Sequence, residues 1–172
     1  FIEIWNLVFM QFSNDGSGEL TPLPQTGIDT GAGMERLLAV LQGVPSVWDI
    51  DLFAPLLSEA ERITGIEYGQ DASTDISMRI FADHARSTAL LISDGVFPSN
   101  EERGYVLRRI IRRAVRHAWT LGVEDVVMPS LVEVVAAVMG DHYSELRENL
   151  ELIKDVVGRE EEQFRRTLAT GS

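Results

Sequence analysis

The residue pattern changes kind at Met34, and that change restricts the fold more than any other feature of the 172 residues. Before it, FIEIWNLVFMQF (1–12) is rich in β-branched and aromatic residues and reads as a strand. Its apolar residues do not alternate cleanly. Ile2, Ile4 and Leu7 are apolar, and so are Trp5, Val8, Phe9 and Met10, the pattern of a strand covered on both faces. SNDGSGEL (13–20) has the Asp-Gly chemistry of a hairpin turn. TPLPQTGIDTGAG (21–33) carries too much Pro and Gly for a helix and predicts a short strand and a tight turn.

After Met34 the spacing becomes helical. MERLLAVLQG predicts a helix ended by Gly43, and 51–65 a second with Pro55 in its first turn. A long helix is expected over 74–95, with Ile76, Ile80, Ala85, Leu91 and Ile92 near one side. Further helices follow over 101–122, 129–139 and 142–168. The last has Leu146, Leu150, Ile153, Val157, Phe164 and Leu168 at steps of three, four and seven. The fold class is α+β: a strand-rich piece over 1–45, then a mainly α-helical domain over 46–172, the boundary falling near Gly43–Trp48. The chain opens at Phe1 without a methionine, and we read it as a piece of a longer protein.

Charge is distributed unevenly. The net charge is −12, yet residues 101–119 hold Arg103, Arg108, Arg109, Arg112, Arg113 and Arg116 against two glutamates, a local +4. Overall acidity excludes an indiscriminate coat for nucleic acid but allows a localised basic face. Around the helix, Leu107, Ile110, Ile111, Ala114 and Ala118 form one apolar arc, and Arg108, Arg109, Arg112, Arg113 and Arg116 the opposite one. Like charges at i,i+4 repel by a few tenths of a kcal/mol per pair on an isolated helix. Two partners could relieve that repulsion: carboxylates of the acidic C-terminal helix, or a phosphate backbone suited to arginine forks. Composition leaves both open. Pro98-Ser99-Asn100 precedes the helix, with Ser99 or Asn100 a natural N-cap; the Asn100 amide also offers the donor and acceptor that reading a base edge requires.

IDTGAGMERLL (28–38) places Asp29 at a strand end, then Gly31 and Gly33, then a helix bearing Glu35 and Arg36. Glycines at such a turn let backbone approach a ligand, but a lone Gly-x-Gly is weak evidence, and this is neither a Walker A loop nor a dinucleotide fingerprint. No cysteine is present, so disulfides, thiolate zinc sites and a cysteine nucleophile are excluded. Three scattered histidines define no metal site, and His84 reads as a core histidine satisfied by a neighbour. The tryptophans at 5, 48 and 119 read as packing residues. No run is apolar enough to span a bilayer and no signal segment opens the chain, so no membrane partner and a cytoplasmic location are expected.

Gly31-Ala32-Gly33-Met34-Glu35-Arg36 matches the Gly-x-Gly-x-Glu-Arg third motif of class II aminoacyl-tRNA synthetases. EIWNLVFMQF, LPQTGIDTGAGMERLLAVLQG, DIDLF, ADHARS and DGVFPSNEERGYVLRRIIRRAVRH each resemble the alanyl-tRNA synthetase family, in its order and spacing. The likeness runs to REEEQFRRTLATG at the end of the chain. It implies the edge of a class II antiparallel sheet followed by the helical tRNA-recognition domain. It implies the ligase reaction of the parent protein: ATP and alanine form alanyl-adenylate, and the alanyl group passes to the tRNA 3′ end.

By the same resemblance, Asn6, Val8, Asp29 and Gly31 line the alanine pocket, and Gly31, Gly33 and Arg36 meet ATP, with Mg²⁺ on the phosphates. Asn100 reads the G·U wobble pair of the acceptor stem, and Arg103, Arg108, Arg109, Arg112, Arg113 and Arg116 contact tRNA. No residue is an obvious acid or base, and no metal ligand is expected in this segment. The family's first two motifs belong before Phe1 and its zinc-containing editing domain after Ser172, so the segment alone is expected to be inactive. A homo-oligomer of the full-length parent is compatible with the resemblance. The alternative is a non-catalytic helical module that binds an RNA acceptor stem.

Overall fold

The computed structural model describes residues 1–171. They form two compact units, one over Phe1–Ile50 and one from Asp51 onward.

In the first unit, β1 (Trp5–Asn14) and β2 (Leu20–Ala32) pair as an antiparallel hairpin. Its turn is built by short polar side chains: Asn14, Asp15 and Ser17 accept from the backbone N–H groups of Gly16, Ser17 and Glu19. Gly16 and Gly18 take φ +92° and +91°, which a side chain would oppose. The short strand expected after the turn is instead 13 residues long. It accommodates its prolines through an irregularity. Regular pairing runs from Trp5↔Ala32 to Met10↔Gly27 and resumes at Phe12↔Pro22, leaving Leu23–Thr26 opposite Gln11. Pro24, with no N–H to give a ladder, falls in that unpaired stretch.

The mixed apolar pattern of β1 predicts cover on both faces. Within the described residues neither face is covered: Trp5, Phe9, Val8 and Met10 expose between 45 and 64% of their surface. α1 (Met34–Gln42) follows and stops at Gly43, which adopts the left-handed conformation and returns its N–H to the last turn. A short 3-10 turn over Val47–Asp49 begins with Ser46 accepting from the Trp48 N–H.

The second unit is helical: α2 (Ala54–Thr64), α3 (Ala72–Ser93), α4 (Glu102–Thr120), α5 (Met128–Met139), the single turn α6 (Glu145–Glu148) and α7 (Leu150–Gly171). α3 begins at Asp71, whose carboxylate accepts from Thr74 N–H and from the Ser73 and Thr74 hydroxyls. Those bonds, Ser73's foremost, lower its carboxyl to about 2. α3 is the central helix and packs on α2, α4 and α5. Met78, Phe81, Ala82 and Ala85 are fully buried there. Because α3 is enclosed on several sides, the single apolar side expected of it does not hold: Ile80, Ala85 and Ile92 are buried, but Ile76 is 53% exposed.

In α4 the inward residues are Leu107, Ile111, Ala114, Val115 and Ala118, with Ile110 half-buried. A buried Leu or Ile contributes on the order of 1.5–3 kcal/mol, far more than any surface ion pair, so this arc fixes the rotation of α4. The one C-terminal helix expected over 142–168 is two, broken at Asn149. Leu146, Ile153 and Val157 are buried as expected, but farther along α7 the buried side chains are Glu160, Glu161 and Arg165, while Phe164 and Leu168 are half-buried.

Candidate functional site

In the first unit, strand register gathers the candidate pocket residues. Asn6 pairs with Gly31 and Val8 with Asp29. Directly opposed residues point to the same side of an antiparallel pair, as do residues two apart on one strand. Asn6, Val8, Asp29 and Gly31 therefore form two adjacent cross-strand pairs on one face. Met10 and Gly27 form the next pair along it. Asp29 thus stands between two glycines of its own strand, and that face of β2 presents one carboxylate with no flanking side chain.

The glycines here answer to space. A Cβ on Gly31 would lie 3.2 Å from Asn6 Oδ1, and one on Gly27 3.2 Å from Met10 Cε. Asn6 is oriented by donating from Nδ2 to Glu3 Oε1 at 3.0 Å. The opposite face is organised separately, with the Trp5 indole N–H donating to Thr30 Oγ1 at 2.6 Å. The resulting surface offers a carboxylate for an ammonium group, an amide for orientation and the Val8 methyls for a small apolar group.

Beyond Gly31 the chain turns into α1. Gly33 is its N-cap at φ −81°, a conformation open to any residue. An added Cβ would lie 3.2 Å from Arg36 Cδ and 3.4–3.5 Å from its Cγ and Cβ, so the arginine stem would have to shift by a few tenths of an ångström. Arg36 Nη1 donates to the Glu3 carbonyl at 2.6 Å, and Gly33 N–H donates to the Ile4 carbonyl at 3.0 Å. Strand, turn and arginine are thus tied together, leaving the other guanidinium donors open to a phosphate or an adenine face. Glu3, absent from the sequence reading, holds both Asn6 and Arg36.

In the second unit the six arginines divide into three groups. Arg108 and Arg112 turn toward α7, where Glu160, 5% exposed, accepts from Arg108 Nε at 3.2 Å and from Arg112 Nε at 2.7 Å. Arg112 also lies over the Phe164 ring, 5.1 Å from its centroid. Arg109, Arg113 and Arg116 are exposed, follow at steps of four and three residues, and have no ion pair among the described residues. They lie within about 60° of one another around the helix. With His84 from α3, Val106, Ile110, Arg112 and Phe164, they line an open groove of about 480 Å³. Arg103 stands apart, in a polar hollow of about 340 Å³ with Glu101 and Glu102. One of the two relievers of arginine repulsion is thus observed, a carboxylate for Arg108 and Arg112, while Arg109, Arg113 and Arg116 face solvent.

Asn100 is not the helix cap. The N-cap is Glu101, and Ser99 ties the turn through its Oγ to the Glu101 backbone. Asn100 is exposed, and its Oδ1 accepts from Arg108 Nη1. The arginine claims the amide's acceptor and leaves its two donors. His84 is satisfied by a neighbour, as expected: its Nδ1 lies 3.0 Å from Asp83 Oδ2. That hydrogen bond, with Arg86 and Arg113 assisting, holds the Asp83 carboxyl below its usual range. His117 lies 3.0 Å from Ser77 Oγ, and burial, reinforced by Arg113, His84 and Arg116, lowers its pKa. No spacing signal marks Glu160 and Glu161, because a glutamate on an amphipathic helix reads as outward-facing.

The family model for class II tRNA synthetases (A) matches residues 1–172, and the chain belongs to that family. Its relatives narrow the comparison. It is 56% identical over 171 residues to the alanine–tRNA ligase of Acidithiobacillus ferridurans, covering 99% of this chain and 20% of that protein. It is 54% identical to the enzyme of that name from Anaeromyxobacter sp. (strain Fw109-5), covering 99% of this chain and 19% of that protein, and 51% identical to that of Pseudothermotoga lettingae, covering 100% and 20%. The chain spans about a fifth of the length of these curated relatives.

Proposed function

We propose that the chain is part of an alanine–tRNA ligase, in which the hairpin and α1 contribute to activation of alanine by ATP and the helical unit holds the acceptor stem of the tRNA. The observation that carries the reading is the pairing of Asn6 with Gly31 and Val8 with Asp29 on one strand face. In this reading the Asp29 carboxylate takes the alanine ammonium, the Asn6 amide orients it, and Val8 closes around the methyl. A site of this kind cannot strongly reject serine, which adds only a hydroxyl.

Gly31 and Gly33 let the adenylate approach the backbone, and Arg36, anchored on the Glu3 carbonyl, meets the nucleotide. Catalysis by these residues consists of positioning and charge placement. Among the described residues no group of three or more His, Cys, Asp or Glu side chains is placed to hold a metal ion. In this reading magnesium comes with the nucleotide and would offset the charge of its phosphates. No described helix is long and apolar enough to cross a membrane.

On the helical unit, Asn100 reads the stem's G·U pair with the donors that Arg108 leaves free, and Arg109, Arg113 and Arg116 lie along the phosphate backbone. A second reading, a module that binds an acceptor stem without chemistry of its own, is favoured by the compactness of the helical unit and by its three arginines open to solvent. The test is amino-acid-dependent ATP–pyrophosphate exchange by the full-length protein, with Asp29→Asn beside it. Exchange greatest with alanine, weaker with serine or glycine, and reduced at least about a hundredfold in the variant supports the first reading. Absence of exchange with every amino acid, with RNA binding retained, selects the second.

A further inference from the structure

We propose that His84 is a phosphate-contacting residue of the RNA face, an imidazolium that joins Arg109, Arg113 and Arg116 in gripping the backbone of an RNA stem. The inference rests on the acceptor-stem reading above and deepens it by adding a proton to the binding reaction.

His84 comes from α3, not from the arginine helix, yet it lines the same groove. Its side chain is 13% exposed, and its Nδ1 is engaged by Asp83 Oδ2 at 3.0 Å. Its other ring nitrogen, Nε2, has no partner among the described residues. A carboxylate on Nδ1 keeps the proton there, so a neutral ring presents Nε2 as an acceptor. A phosphate oxygen needs a donor. Contact with phosphate therefore requires Nε2 to take up a proton, and the Asp83 carboxylate is placed to balance the imidazolium.

The charged groups around the groove are Asp83 on α3, with Arg86 3.9 Å from it, Arg109, Arg112, Arg113, Arg116 and His117 on α4, and Glu160 on α7, which holds Arg112; α7 also contributes the uncharged Phe164. A phosphate in the groove accepts from Nε2 only when that nitrogen carries a proton, so RNA binding and protonation of the ring favour each other, and affinity rises as pH falls.

The experiment measures binding of a fluorescein-labelled duplex RNA with a single-stranded 3′ end to the 172-residue chain, at fixed salt, at pH 6 and pH 8. Wild type is expected to bind about fivefold tighter at pH 6. His84→Gln, whose amide takes up no proton, is expected to lose that ratio, and His117→Gln to keep it. An unchanged ratio in His84→Gln overturns the proposal. Calorimetry of the wild-type chain in buffers of different ionisation enthalpy gives a readout independent of any variant: proton uptake on RNA binding near pH 6.5 is expected, and its absence overturns the proposal. Arg113→Gln separates the two claims. If it weakens binding at both pH values while His84→Gln behaves as wild type, only the histidine's role fails. If neither Arg113→Gln nor Arg109→Gln weakens binding, the RNA face itself fails.

Discussion

Gly104 opens α4 at a point where the preceding loop leaves no space. A Cβ there would lie 2.3 Å from Ser99 Oγ and 2.5 Å from the Phe97 carbonyl oxygen. The hydroxyl could rotate away, but the carbonyl is backbone and already part of the turn in which Ser99 N–H donates to the Gly104 carbonyl. Gly104→Ala should therefore push the 97–100 loop off the helix and lower the free energy of urea unfolding by roughly 1–3 kcal/mol. Since that loop carries Asn100, RNA affinity should fall in the same variant; unchanged stability and affinity would show that the loop relaxes freely. Nothing in PSNEERGY as a string distinguishes this glycine from a conformational one, because the constraint is set by an approach visible only when loop and helix are placed together.

At the scale of elements, α7 supplies two neighbouring buried carboxylates with different duties. Glu160 takes the Arg108 and Arg112 forks, whereas Glu161 serves the start of α5. The α5 N-cap is Val127, which has no side-chain acceptor, and Pro129 has no N–H to satisfy. Glu161 fills the gap from another helix, accepting from Val127 N–H at 3.0 and 3.1 Å, from Met128 N–H at 2.8 Å and from Arg165 Nε at 2.9 Å. Removing it strands a buried guanidinium and two helix-end donors. Glu161→Ala should cost about 3–5 kcal/mol in chemical denaturation. Glu160→Gln should cost less and tighten binding of unrelated duplex RNA, since it returns two arginines to the basic face. Equal stability losses for the two would refute this division of labour.

These carboxylates show why the helices were legible and their polar contacts were not. Periodicity located every helix from α1 to α5 to within three residues, because burial of Leu107, Ile111 or Leu131 imposes its spacing on the chain. Periodicity ranks a glutamate as outward-facing, so it placed Phe164 and Leu168 in the core ahead of Glu160 and Glu161. It also ran 142–168 together, since the turn at Asn149 carries no Gly or Pro.

For the molecule as a whole, the contrast is between an acidic chain and a narrow basic stripe. The net charge is −12, so in the proposed reading association with a polyanion would depend on how far Arg109, Arg113 and Arg116 outweigh long-range repulsion. If those three meet phosphates, the logarithm of the binding constant should fall with the logarithm of salt concentration at a slope of about −2.7 at pH 8. Replacing one of them with Gln should reduce the slope by about 0.9. A slope near zero would assign the binding to something other than phosphate contacts. The candidate pocket was legible in a different way. The order and type of Asn6, Val8, Asp29 and Gly31 were in the string, but their meeting depended on a strand register that the prolines of 21–33 concealed.

That register has a further consequence. Leu23–Thr26 opposite Gln11 separates the turn end of the hairpin from the end bearing Asn6 and Asp29. In an uninterrupted ladder, gaining or losing one residue near the turn would roll every side chain beyond it to the other side of the sheet. Here the slack is taken up midway. The outer hairpin is thereby free to lengthen, shorten or change sequence over generations while the inner pairs keep their facing, much as an expansion joint isolates one span of a bridge from the next.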